Sequence, residues 1–340
     1  MGLVDDFPDD PFTPSVRYAA TCQLPVHLPW GRDFIKLGSS LSISRQKEIP
    51  QGHLDGSKSA FSQPSLEQSR LVLAGGARGQ VIATDTSGTS SFRSHTDFSI
   101  SGQIGGSFIG ASGRAKYEAS ASRNNSNLQS SFRTTYCAGS IRFAADPLLS
   151  PHALSLLTSS KDPRKAEEAF RAVYGEYYVA AYILGGANAT LLAGNAADEA
   201  FASHLRGSFT VKIAFIKINE SFEEREQRGS AAAGASLTGY DSLEGADIAV
   251  KAIDVSNYSE VIQGGVDNRN RGNMLPERVE QKTREMGLKF TGGRDAVRNR
   301  DPTLSWGKCG ELCQGGLVTE LLLLPWSGLR EYIVTMHRLR

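Results

Sequence analysis

The sequence carries almost no net charge: 37 basic residues stand against 36 acidic ones, a formal charge of +1. That balance excludes the electrostatic footprint of a nucleic-acid binder and offers no general attraction to anionic lipid. Cysteine is scarce. Cys22, Cys137, Cys309 and Cys313 are too few and too scattered to staple a chain of 340 residues. Cys309 and Cys313 form a C-x3-C pair, but no second pair of ligands accompanies it. Two unpaired thiols on one short turn is therefore the simpler reading, and no metal or other cofactor is expected. Long apolar runs are missing too. The longest, Leu321 to Trp326, falls far short of the roughly 20 residues of a membrane-spanning helix. The opening stretch, MGLVDDFPDDPF, is acidic and proline-broken, without the basic start or apolar stretch of a secretory signal. Asp6 stands where a myristoylation motif wants Ser or Thr. The expectation is a soluble chain without a leader, cytoplasmic or released by a non-classical route.

Catalytic constellations are missing as well. His27, His53, His95, His152, His204 and His337 show no metal-binding spacing, and neither a G-x-S-x-G elbow nor a P-loop occurs. Gly75 to Gly79 follows the strand-like Leu71-Val72-Leu73, yet it lacks the G-x-G-x-x-G fingerprint and no helical pattern follows. It reads as a hairpin turn leading to Val81-Ile82. No enzyme activity is expected.

What the chain does have is small residues and alternation. The first 65 residues are interrupted by prolines, with one strand-like piece from Lys36 to Ser44, and they read as a cover over a core built later. Between 92 and 143 polar and apolar positions alternate. Phe98, Ile100, Ile104 and Phe108 oppose Ser99, Ser101, Gln103 and Ser107. At Ile109 the phase slips by one, as a bulged residue would cause. Ala111, Ala115, Tyr117, Ala119 and Ala121 then oppose Ser112, Arg114, Lys116, Glu118 and Ser120. Arg123 to Asn127 has turn composition, and the return carries Leu128, Phe132 and Tyr136 against Gln129, Ser131, Arg133 and Thr135. The whole reads as one long hairpin. Phe209, Val211, Ile213 and Phe215 alternate in the same way, before the charged run Glu220 to Arg228. Ile248 to Ile253 reads as a strand, Pro276 to Met286 as a short helix in an otherwise solvated stretch, and Val318 to Tyr332 as core.

The clearest helix starts at Asp162, a fair N-cap, with Pro163 in its first turn. Ala166, Ala169, Phe170, Val173, Tyr174 and Tyr177 recur at helical spacing, so the helix is expected over 162 to 182, closed by Gly185-Gly186.

One motif in that helix goes beyond secondary structure. Tyr174-Gly175-Glu176-Tyr177-Tyr178, then six residues, then Gly185-Gly186, resembles the signature of the membrane-attack-complex/perforin (MACPF) family. That signature is an aromatic residue, Gly, Thr or Ser, His, Phe or Tyr, six residues, and Gly-Gly. Glu176 replaces the Thr or Ser and Tyr177 the His, replacements familiar from fungal members.

The resemblance implies an α+β fold, with a bent, mainly antiparallel four-stranded sheet flanked by helices and by two membrane-insertion segments. It divides the chain into an irregular segment 1–30 and a single domain 31–335. Within the domain lie a first insertion segment at 98–143, the signature helix and hinge at 162–186, and a second insertion segment at 190–254. It also implies a homo-oligomer that inserts two hairpins per subunit into the lipid of a target-cell membrane as a β-barrel. A separate lipid-binding partner of the aegerolysin type is implied as well, since the domain leaves little chain for lipid recognition; nucleic acid is not an expected partner. A non-lytic MACPF-like binding or storage protein, and an unrelated all-β recognition module, are the alternatives.

Overall fold

In a computed structural model of the protein, the residues described are 22–44, 51–55, 58–75, 82–87, 128–194, 235–244, 248–253, 258–288 and 303–338. They form an α+β structure around one antiparallel sheet. Its centre is two long strands, β6 (Leu128–Phe143) and β7 (Tyr177–Gly194), paired from Leu128↔Gly194 to Arg142↔Ala181. The outer edge of β6 is taken by β4 (Leu71–Gly75) and β5 (Ile82–Ser87), and β4 also pairs with β10 (Thr303–Leu304). The outer edge of β7 is shared by β11 (Val318–Pro325) and β8 (Ala235–Asp241). Next to these lie β1 (Val26–Pro29) on β11 and β9 (Ile248–Ile253) on β8. The antiparallel pair β2 (Ser40–Ser44) and β3 (Gln51–Asp55) joins the foot of β7. The sheet is thus wider than the four strands expected, and its helices set aside the all-β alternative.

Helices cover both faces. On one side lie α1 (Gln63–Gln68), α2 (Pro151–Leu157), α3 (Pro163–Tyr174) and α7 (Arg330–His337). Their core joins Phe61, Phe170, Tyr178, Trp326 and Tyr332, with the rings of Tyr178 and Trp326 4.6 Å apart. On the other side lie α4 (Tyr258–Asn273), α5 (Leu275–Glu285) and α6 (Trp306–Gln314). There Leu275, Val279, Cys309, Leu312 and Cys313 pack against Tyr182, Leu184, Leu321 and Leu323 of the sheet. Each fully buried Leu or Val among them contributes roughly 1.5–3 kcal/mol by leaving water.

Local chemistry sets the helix ends. Ser62, Ser150, Asp162 and Ser305 each accept a backbone N–H from the first turn of α1, α2, α3 and α6. Cys309 and Cys313 lie one helical turn apart on α6 rather than on a short turn, and burial pushes both thiols up to about 12.

Two further expectations are corrected. The signature helix ends at Tyr174, not at 182, because Gly175 takes φ +67 and an added Cβ there would lie 2.3 Å from the Leu41 carbonyl oxygen. Only glycine tolerates both conditions, and the aromatic, β-branched run Tyr177-Tyr178-Val179 that follows suits a strand. Nor do Leu71–Gly75 and Ile82–Ser87 form a hairpin. Both lie along β6 in the same direction, Gly75 opposite Gly139 and Ile82 opposite Thr135, so residues 76–81 join two collinear strands.

Candidate functional site: the glycine pair and the polar bridge beneath the helix pair

Gly185 and Gly186 sit where the neighbours of the two long strands change. Below them β7 is flanked by β11, which starts at Val318 opposite Leu184; above them it is flanked by β8, which ends at Asp241 opposite Asn188. On the other side, β6 carries a register shift between Cys137 and Gly139 at the same level. A bulge of this kind bends and twists the strand that holds it. The glycines are required by space, since neither has a left-handed φ. A Cβ on Gly185 would lie 1.8 Å from the Tyr136 carbonyl oxygen. One on Gly186 would lie 2.7 Å from Leu275 Cδ1 and 2.9 Å from Val279 Cγ2, both on α5.

Just above the glycines, a polar bridge ties α4 and α5 to the sheet. Asp241 is buried and accepts from both terminal nitrogens of Arg278, at 2.7 and 3.2 Å, and from Asn188 Nδ2 at 2.9 Å. Burial alone would raise the Asp241 carboxyl. The hydrogen bonds and charge of Arg278, with the Asn188 amide, outweigh it and hold the carboxyl below its ordinary value. Asn188 Nδ2 also donates to Asn268 Oδ1 at 3.0 Å, and Asn268 Nδ2 donates to the Ala189 carbonyl at 2.8 Å and to Thr190 Oγ1 at 2.9 Å. Gly272 lets α4 approach: a Cβ there would lie 2.9 Å from Asn188 Oδ1 and 3.3 Å from Thr134 Oγ1.

The turn after β8 is gripped from three directions. Lys282 Nζ donates to the Leu243 carbonyl at 2.6 Å, Arg32 donates to the Ser242 carbonyl at 2.7 Å, and the Ala187 N–H donates to Ser242 Oγ at 3.0 Å. Burial, and then the charge of Arg32, pulls the Lys282 ammonium below its ordinary value.

The signature residues knot α3 to the sheet. Tyr174 is buried, its hydroxyl 2.9 Å from His152 Nδ1, and its carbonyl accepts from Trp326 Nε1 at 3.2 Å. The Glu176 backbone bonds Leu41 and Trp326. Tyr177 enters one core, its hydroxyl donating to the Leu24 carbonyl at 3.2 Å, while Tyr178 enters the other.

Of the expected membrane-inserting residues, Phe98, Ile100, Ile104, Phe108, Tyr117, Phe209, Val211, Ile213 and Phe215 lie outside the described residues. Leu128, Phe132 and Tyr136 lie in β6, whose two edges are already held by β4/β5 and β7. The stretch 128–143 is therefore central sheet rather than the return arm of a hairpin. Tyr136 packs against the core beneath α5, and burial and then Glu280 push its phenol up. Asn188, Asp241, Asn268 and Arg278 were not singled out from the sequence; Asn268-Arg269-Asn270-Arg271-Gly272 has the composition of a turn.

Four strand ends meet at one end of the sheet. Ser87 pairs with Ser130, Leu128 with Gly194, and Gly194 with Ala235. The two sequences that leave and return there, 88–127 and 195–234, are each about 40 residues long. Among the described residues no helix is long and apolar enough to cross a membrane, and no three His, Cys, Asp or Glu side chains gather as metal ligands.

No family model and no curated protein matches the sequence. Among solved structures, the chain is similar to GNIP1Aa from Chromobacterium piscinae, at 14% identity and a TM-score of 0.31 over 79% of this chain and 58% of that one. It is also similar to the cytotoxin protein suilysin from Streptococcus suis, at 11% identity and a TM-score of 0.24 over 68% and 49%. A protein with a MAC/Perforin domain from Bacteroides thetaiotaomicron is similar at 12% identity and a TM-score of 0.24 over 78% and 65%. The chain thus spans 49% to 65% of the length of these structures.

Proposed function

We propose that this chain is a pore-forming protein of the MACPF type, without catalytic activity. Copies assemble on the membrane of a target cell, and each inserts the sequences 88–127 and 195–234 as two hairpins of a shared β-barrel. The observation that supports this reading most is that β5, β6, β7 and β8 end together at one end of an antiparallel sheet, Leu128, Gly194 and Ala235 level with one another and Ser87 two residues short of them. A hairpin growing from each pair of ends extends four strands already in register. Each connecting sequence is long enough for two crossings, since a crossing strand needs about 9–11 residues. Barrel closure satisfies every backbone group in lipid, which an open sheet does not. Among the described residues β5 and β9 each have one partner, and in the assembled barrel these two edge strands pair with strands of neighbouring copies.

The membrane partner is lipid, reached through a separate lipid-binding protein of the aegerolysin type, because a net charge of +1 gives no electrostatic attraction of its own. The test uses phosphatidylcholine–cholesterol vesicles carrying a nickel-chelating lipid, which tethers His-tagged protein and replaces that partner. Tethered protein should release an entrapped dye, and protein on vesicles without the chelator should not. Tethered protein that leaves the vesicles tight points instead to a binding or storage protein.

A further inference from the structure

We propose that the joint between α4 and the sheet is a binding site for one buried water molecule, held by Thr134 Oγ1 and Asn188 Oδ1 beneath Gly272. Thr134 of β6 and Asn188 of β7 are directly paired, and the same row continues to Ala83 of β5 and Asp241 of β8. Directly paired residues share a face, with Cβ atoms about 4.5–5.5 Å apart, so one small molecule can reach both side chains. Nothing in this site depends on pore formation.

The row is saturated at one end and incomplete at the other. Arg278 and Asn188 Nδ2 both donate to Asp241, and Asn188 Nδ2 donates to Asn268 Oδ1 as well. Both partners of that nitrogen are oxygens, which fixes the orientation of the amide and leaves Asn188 Oδ1 as an acceptor. Among the described residues, neither Asn188 Oδ1 nor Thr134 Oγ1 has a hydrogen-bond partner, although Asn188 is 0% exposed and Thr134 1%. Two buried oxygens left dry and unpaired are costly, whereas one water bonds both.

Gly272 makes the site accessible from the helix side. A Cβ there would lie 2.9 Å from Asn188 Oδ1 and 3.3 Å from Thr134 Oγ1, so a side chain on α4 would compete for the same space. The chemistry of the two oxygens selects the occupant. It must donate to Asn188 Oδ1, and it can donate to or accept from Thr134 Oγ1. An anion without a proton fails at Asn188. A cation would be buried with no carboxylate to meet it, since Asp241, the carboxylate of this row, is already held by Arg278. Water meets both demands. Arg271, the residue before Gly272, carries a third buried polar atom without a partner among the described residues, its Nε. Buried waters commonly make about three bonds. With the water in place, one polar chain runs from Thr134 through Asn188 and Asp241 to Arg278, from the centre of the sheet to α5.

High-resolution crystals of the full chain read the site directly. A water peak about 2.7–3.2 Å from both oxygens is the expected result. Thr134 Oγ1 bonded straight to Asn188 Oδ1, or no density between the two, overturns the proposal. Stability in solution gives a second reading that needs no crystal. Thr134→Val keeps the shape of the side chain and removes its hydroxyl. Loss of a bond to water should raise the unfolding equilibrium constant about fivefold, the worth of one hydrogen bond. In a dry site the same variant removes an unpaired buried hydroxyl, so a constant that stays level or falls contradicts the proposal. Thr134→Ser keeps the hydroxyl and should keep the water peak, while Gly272→Ala should lose it. A peak that persists in Gly272→Ala would overturn the role given to the glycine.

Discussion

Arg278 of α5 holds Asp241 at the end of β8 with both terminal guanidinium nitrogens, at 2.7 and 3.2 Å, and reaches Glu244 at 3.0 Å. The Asp241 side chain is only 2% exposed, so this pair links a helix to the sheet edge almost out of water. Removing one partner from such a pair costs more than the pair itself contributes, because the other charge stays buried. Arg278→Met should lower the unfolding free energy by about 3 kcal/mol. Urea titrations at neutral pH check this; a loss below about 1 kcal/mol, the range of exposed pairs, would show the contact is a surface one.

The same pair sets the acid limb of stability. The Asp241 carboxyl lies below its ordinary value in the folded protein, so its contribution is complete above the unfolded value of about 3.9 and is lost as pH falls through the folded value. Asp241→Asn should remove this part of the pH dependence below about pH 4. Parallel stability–pH curves for the parent and the variant would exclude the assignment.

His27 works with the opposite sign. Its ring nitrogen bonds Glu320 at 3.1 Å, which raises the imidazole although burial opposes it. The contribution is complete below about pH 6.5 and is lost as pH rises through the folded value. The His27 side chain is 55% exposed, so solvent screens the pair to under about 1 kcal/mol. An NMR titration of the ring should give a midpoint above the ordinary one, falling back in Glu320→Gln.

The glycines should rank by what their added Cβ meets. Gly185→Ala and Gly175→Ala press on backbone carbonyls, which cannot swing aside, and should fail to fold or lose most of their stability. Gly186→Ala meets the ends of the Leu275 and Val279 side chains and should cost about 1–3 kcal/mol, as overpacking does. Leu275→Ala opens that space, so the double variant should be more stable than the two single losses predict. Additive losses would show that the strand and α5 do not meet there.

How much of this was legible in the sequence depends on how local the signal was. Asp162 and Pro163 announce α3 because capping is settled within one turn, and the short, mostly apolar run Ile248–Ile253 reads as a strand. The end of α3 was misplaced because Tyr177 falls at i+11 of the apolar stripe, and only the approach of Leu41 makes Gly175 a stop. α4 escapes a sequence reading because its inward face carries the buried Asn268 and Arg269, and Asn268 is bonded to Asn188, Ala189 and Thr190, 78 to 80 residues away. Gly185-Gly186 was found as a pair, but the reason for it, the closeness of Tyr136 and Leu275, belongs to the packing.

The most direct test of the central claim is electron microscopy of nickel-lipid vesicles after tethering, with dye release followed on the same sample. Closed protein rings on the vesicles, appearing together with release, are the predicted result. Vesicles coated with protein, without rings and with their dye retained, would contradict it.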